Sequence, residues 1–174
     1  VVFVDLGSAS PTMGAARSVD AYSCLRDFSQ KQSDATGAYR QAFLLGLMTY
    51  VRLPKNRWPL GWSGMTDPVA PFIFALYGHP DVGGYWEAHG DKQLVAFGFD
   101  KIGAACLIAQ GETALLVVYV DGFKLAAPTE FHDELWALIG AQKNIDPPIH
   151  PRKCLGCEHR VFECPVTDLS ELFQ

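Results

Sequence analysis

The sequence predicts an α+β fold: an antiparallel sheet of about four strands with helices packed on one face. Strand-length apolar segments follow one another across short turn signals, as hairpin-linked strands do, whereas parallel strands need long crossovers. Two stretches with helical apolar spacing, 81–97 and 129–142, supply the helices. Hydrophobic residues make up 49% of 174 residues and charged residues 19%, enough for one domain with a real core.

In chain order, Ser10-Pro11 reads as an N-cap followed by proline at the first helical position. Met13, Ala16, Val19 and Tyr22 then form a helical stripe reaching about Leu25. Gly37 to Leu45 fits a short helix or turn, and Tyr50 to Leu53 a strand ended by Pro54. Trp58 to Pro71 holds three prolines and two glycines and is expected to be a loop with buried aromatics. Phe72 to Leu76 is a short strand closed by Gly78. Asp81 to Phe97 is a helix carrying Tyr85, Trp86, His89, Leu94 and Phe97. Ala104 to Ala109 and Ala114 to Val120 form strands around a Gln110-Gly111-Glu112 turn, and Phe123 to Ala127 forms a third. Thr129 caps a helix running to about Gln142, with Leu135, Leu138 and Ile139 facing inward. Beyond Asp146-Pro147-Pro148 the chain returns to short mixed segments.

The longest apolar run, Thr113 to Val120, falls far short of the roughly 18 residues that span a membrane, so no membrane partner is expected. The opening VVFVDLGS has an early acid and no basic flank, and reads as a chain cut within a domain rather than a signal peptide. Cys24, Cys106, Cys154, Cys157 and Cys164 make an odd set without a secretory signal, which favours reduced thiols and an intracellular setting. The net charge of −5, with 14 basic residues spread along the chain, weighs against a nucleic-acid-binding surface.

Two segments carry candidate chemistry. In LLVVYVDGFKLA an apolar run meets Asp121-Gly122 and a second strand follows. Asp-Gly between strands favours a two-residue type I′ turn, and a plain hairpin needs nothing more. In Asp34-Ala35-Thr36-Gly37-Ala38-Tyr39 an acid precedes a glycine-containing turn and an aromatic. Read alone, Asp34 is a cap for that turn and Tyr39 a core residue.

Taken together these segments resemble the reverse transcriptase of copia-type retrotransposons, part of a Pol polyprotein. That family carries Tyr-x-Asp-Asp at a hairpin tip; Tyr119-Val120-Asp121 matches and Gly122 replaces the second Asp. Its first carboxylate sits in an Asp-x-x-x-Ala-aromatic pattern, matched from Asp34 to Tyr39. Thr49 to Pro54 resembles the family's tyrosine/valine-x-x-proline strand, and Ala75-Leu76-Tyr77-Gly78 its Leu-Tyr-Gly block. Where the family has a Lys-Gln pair after that glycine, this chain has Pro80-Asp81. The likeness runs from about Phe3 to His159.

The resemblance implies a polymerase-palm-like antiparallel sheet: one reverse-transcriptase-like domain fragment over 1–174, with part of the fingers and without thumb or ribonuclease H segment. It implies RNA-directed DNA polymerase activity, two-metal nucleotidyl transfer with Mg2+ or Mn2+. Asp34, the Ala35 carbonyl and Asp121 would hold metal. Tyr39 would screen the sugar, and Gly78 would lie near the template and incoming deoxynucleotide. The partners would be RNA or DNA template-primer and the other Pol domains. Gly122 removes a carboxylate beside the metals, so activity is expected to be impaired, and a catalytically inactive retroelement relic is the alternative.

A third reading is a small zinc-binding or interaction module, because Cys154, Cys157, His159 and Cys164 lie within eleven residues. Against it, the family carries a Leu-Gly pair inside a strand here, matched by Leu155-Gly156. In a strand, Cys154 and Cys157 would point to opposite faces. No metal is expected there. His79, His89, His132 and His150 are expected to be surface or helix-packing residues.

Overall fold

The computed structural model describes residues 12–103, 106–109 and 113–160. In chain order its elements are α1 (Met13–Ser23), β1 (Phe28–Asp34), β2 (Tyr50–Val51), β3 (Ala70–Pro71), α2 (Val82–Ala96), β4 (Phe99–Lys101), β5 (Cys106–Ala109), β6 (Leu115–Tyr119), β7 (Gly122–Pro128), α3 (His132–Gly140), β8 (Lys153–Cys154) and β9 (Cys157–Glu158). The fold is α+β.

The main sheet has five strands in the order β1-β7-β6-β5-β4, one more than expected, and all its pairings are antiparallel. The additional strand, β4, leaves the C-terminal end of α2 through Gly98 at φ +88° and pairs with β5. Such a φ costs glycine little and other residues much. β1 is the edge strand, yet its outer side is not bare. Gln32 exchanges two 2.8 Å backbone hydrogen bonds with Ile149, and Asp146 N–H donates to the Asp34 carbonyl at 2.9 Å. The segment 144–149 therefore covers an edge that would otherwise offer free backbone groups.

Side-chain alternation divides the sheet into two apolar faces. Leu116, Phe123, Leu125 and Ala127 join Trp86 and Leu94 of α2 and Trp136 and Ile139 of α3 in the larger core. Leu115, Val117 and Ala126 meet Val19 of α1 on the other side. The two helices expected to share a face do so, and α1 covers the opposite one. β6 and β7 are thus buried on both faces, which is why they read as near-continuous apolar runs.

Boundaries moved where local capping differed from the sequence signal. The α1 cap is Thr12, whose hydroxyl accepts from Ala15 N–H at 3.2 Å; Ser10-Pro11 lies outside the described residues. The Gln110-Gly111-Glu112 turn and Cys164 lie outside them as well. Thr129 does not cap α3. It opens a single 3-10 turn, its hydroxyl bonded to Ser29 at 3.0 Å, and α3 starts at His132. Trp136 rather than Leu138 is the buried residue beside Ile139. Phe72 to Leu76 is not a strand. It follows the short β2–β3 ribbon and is tied to the chain through a bridge between Phe43 and Phe74, whose rings stack at 5.0 Å. Trp58 and Trp62 are half-buried in the preceding loop, in edge contact at 6.4 Å.

Candidate functional site: a carboxylate-lined groove at the hairpin tip

The β6–β7 turn has two central residues, as expected, but is centred one residue earlier than Asp-Gly. Tyr119 pairs with Gly122, so Val120 and Asp121 are the turn residues and Gly122 begins β7. Val120 adopts φ +53° while Asp121 is not in the left-handed region. Positive φ at only the first central position departs from the I′ pattern, which needs it at both. A β-branched residue there is strained by roughly 1–2 kcal/mol. Two contacts hold it: the buried Trp86 ring N–H donates to the Val120 carbonyl, and Ala35 N–H donates to the Asp121 carbonyl at 2.7 Å.

The register between β1 and β7 builds the site. Asp34 lies directly opposite Gly122, at the end of the ladder that begins at Phe28 and Pro128. A Cβ placed on Gly122 would sit 3.3 Å from Asp34 Oδ1, so any side chain at 122 would project beside that carboxylate. Asp34 and Asp121 both line an open groove of about 320 Å³ with Gln32, Tyr119, Lys124 and the β8–β9 hairpin. Burial and the neighbouring charges of Asp121 and Asp146 push the Asp34 carboxyl above the usual carboxylate range. Facing like charges of this kind disfavour ionisation and favour a bound cation.

Tyr39 sits on a 3-10 turn (Ala38–Gln41) reached through Gly37 at φ +62°. It is half-buried against the larger core, and its phenol is pushed up by burial, then by Tyr77, Asp121 and Tyr119. Its ring meets Tyr77 at 4.5 Å, so the Leu-Tyr-Gly block does come beside Tyr39. Gly78 itself is not part of the groove lining. It holds φ +94° in the turn closed by His79 N–H to the Leu76 carbonyl at 3.1 Å. Ala35 is buried and tied through its backbone to Asp121 and Ile145.

Two residues that matter to the groove carried no signal strong enough to single them out. Asp146 is brought next to Asp34 by the covering segment, and its carboxylate accepts from the Thr36 hydroxyl at 2.9 Å. Lys124 is 3% exposed, with its ammonium 2.5 Å from Asp20 and 3.3 Å from the Ala16 carbonyl. A lysine inside FKLAA was the visible clue, since charges are almost never fully buried unless paired. The ion pair ties α1 to the groove.

Among the described residues, no three or more acidic, cysteine or histidine side chains converge closely enough to cage a metal ion. Asp34 and Asp121 put two carboxylates on one groove, and a Mg2+ there would need substrate phosphates and water to complete its shell. They are short of the charge that bridges two.

The β8–β9 segment differs from expectation. Leu155 and Gly156, at φ +48° and +82°, are the two central residues of a tight hairpin rather than part of a strand. Cys154 and Cys157 consequently pair across it instead of pointing to opposite faces. Of the histidines, His132 is buried, its Nε2 donating to the Ser29 carbonyl at 3.0 Å and its Nδ1 accepting from the Trp136 ring N–H at 3.3 Å, and His89 lies against Trp86. No helix in the described residues is long and apolar enough to cross a membrane. Neither family models, curated proteins nor solved structures provide a match to this chain.

Proposed function

We propose that this chain is the palm of a copia-type reverse transcriptase, an RNA-directed DNA polymerase fragment whose turnover is impaired by Gly122. The observation that carries the reading is the register pairing Asp34 with Gly122 while Asp121 forms the adjacent hairpin tip. Two acids far apart in sequence meet in one groove, and the position of the missing family carboxylate faces the first of them. The Tyr39–Tyr77 contact supports the same reading, because it joins the Leu-Tyr-Gly block to the block that carries Asp34.

In this reading a primer–template end lies along the groove, and Asp34 and Asp121 hold Mg2+ or Mn2+ with the triphosphate of a deoxynucleotide. The metal would supply charge neutralisation and an activated 3′-hydroxyl. The chain's own residues orient. Asp34 and Asp121 would hold the cation to which the phosphates bind, Tyr39 would limit space beside the sugar, and Trp86 holds the hairpin tip in place. Lys153 on the groove wall offers one phosphate contact, and Lys124 is committed to Asp20.

Primer extension on an RNA template with deoxynucleotides and Mn2+ should give little or no product with the natural sequence. Primer–template affinity, followed by fluorescence anisotropy, should rise with Mn2+ in Gly122→Asp and lose that dependence in Gly122→Asp/Asp34→Asn. Mn2+ dependence that is identical in both variants would rule the site out. Robust extension by the unmodified chain would instead remove the impairment from the reading.

A further inference from the structure

We propose that Cys154 and Cys157 form a reactive dithiol pair, closing to an intrachain disulfide on the groove wall when the chain meets a small-molecule disulfide of the glutathione type. Both thiols are free, Cys157 exposed and Cys154 half-buried. The Leu155-Gly156 turn sets them directly opposite one another, and the pairing runs on outward through His159 N–H to the Arg152 carbonyl at 2.9 Å. Opposed residues of an antiparallel pair have Cα atoms roughly 4.5–5.5 Å apart. Disulfides span about 4.4–6.8 Å between Cα atoms, so an opposed pair of this kind falls within the range a bridge can close. Leu155 and Gly156, both at positive φ, lie between the cysteines and keep the turn tight.

Exposure assigns the order of events. The Cys157 thiol loses its proton to solvent and attacks one sulfur of the small disulfide. That S–S bond breaks, and the departing thiolate takes up a proton. Cys154 then loses its proton and attacks the Cys157 sulfur of the mixed disulfide, releasing the second small thiol. Two protein thiols are oxidised to one disulfide, and the small disulfide is reduced to two thiols. Burial raises the Cys154 thiol, while the Lys124 ammonium pulls the other way, so its attack relies on its position opposite Cys157. The consequence falls on the groove, because Lys153, Cys154, Leu155 and Gly156 form one of its walls. A two-residue-per-strand hairpin is marginal by itself, and a cross-link makes that wall rigid.

The test incubates the full chain, with chelator present, in glutathione buffers of increasing oxidised fraction. Trapping with an alkylating reagent and peptide mapping follow. Cys154 and Cys157 should lose alkylation together, in a peptide lighter by two hydrogens, while Cys24, exposed like Cys157, should instead carry the small thiol as a mixed disulfide. In Cys154→Ser the mixed disulfide on Cys157 should accumulate severalfold over the natural chain. Equal accumulation in both, a bridge from Cys157 to another cysteine, or full alkylation of both residues in the most oxidising buffer would overturn the proposal. So would stoichiometric zinc, retained without chelator, that shields both thiols.

Discussion

Asp34 carries a charge that its own fold disfavours. Its carboxyl is pushed up by burial, then by Asp121 and Asp146, so the folded chain holds its proton more firmly than the unfolded chain does. The sign follows. The stabilising share is complete below the ordinary aspartate range and is lost as pH rises through the raised folded value. Asp34→Asn should therefore leave stability unchanged at acid pH and raise it at neutral pH. Because the side chain is solvent-exposed, the gain should stay within about 1 kcal/mol. Urea denaturation midpoints at both pH values check this, and a neutral-pH loss would mean that Asp34 is structurally paired. The pattern Asp-x-x-x-Ala-Tyr was legible in the sequence, but its electrostatic setting was not. The Asp146 charge arrives through backbone pairing between distant segments, and nothing near Asp34 in sequence announces it.

At the scale of elements, hairpins carried the clearest sequence signals and also the main errors of detail. The apolar run of β6 and the following Gly122 announced a turn, yet its centre lies one residue earlier, at Val120 and Asp121. Propensity would not place valine at φ +53°; the Trp86 contact and the Asp121–Ala35 hydrogen bond outweigh it. Trp86→Phe removes that ring N–H while keeping an aromatic in the core. It should cost about 1–3 kcal/mol, from a lost hydrogen bond and reduced packing. Hydrogen exchange should also quicken selectively at the Ala35 amide, which reports on the tip. Exchange that quickens uniformly would mean global destabilisation only. β1 was the least legible element. FSQKQSD has no apolar alternation, because the strand is held by its ladder to β7 and by the 144–149 segment rather than by a buried stripe of its own. The β8–β9 hairpin was hidden for a related reason: Leu155 occupies a left-handed conformation that leucine rarely adopts.

Across the whole molecule, the sheet is covered on both faces, and the cost of that burial is visible at Lys143. Its amine lies 2.6 Å from Gln93 Oε1 and over the Trp86 ring at 5.3 Å, and burial brings it down to about 8. The unfolded chain binds this proton up to the ordinary lysine range, so stability should rise with pH between about 8 and 10.5. Lys143→Met should flatten that rise by about 1–3 kcal/mol, an order of magnitude set by the size of the shift. Equal slopes in both chains would place the amine in solvent. Exposed apolar side chains concentrate elsewhere, at Phe43, Leu45, Leu47, Met48, Ile73 and Phe74 around the β2–β3 ribbon. The α+β class was legible because β6 and β7 are apolar runs of strand length joined at a turn and α3 carries a helical stripe, whereas the short ribbon strands have too few residues to show a pattern. The account as a whole stands on one geometric claim: Asp34, Asp121 and position 122 share a single cation site. Calorimetric titration of Mn2+ into the natural chain, Gly122→Asp and Gly122→Asp/Asp34→Asn tests it most directly. The account predicts weak binding by the first, about tenfold tighter binding by the second from one added carboxylate ligand, and loss of that gain in the third. An affinity unchanged by Gly122→Asp, or untouched by Asp34→Asn in that background, would contradict it.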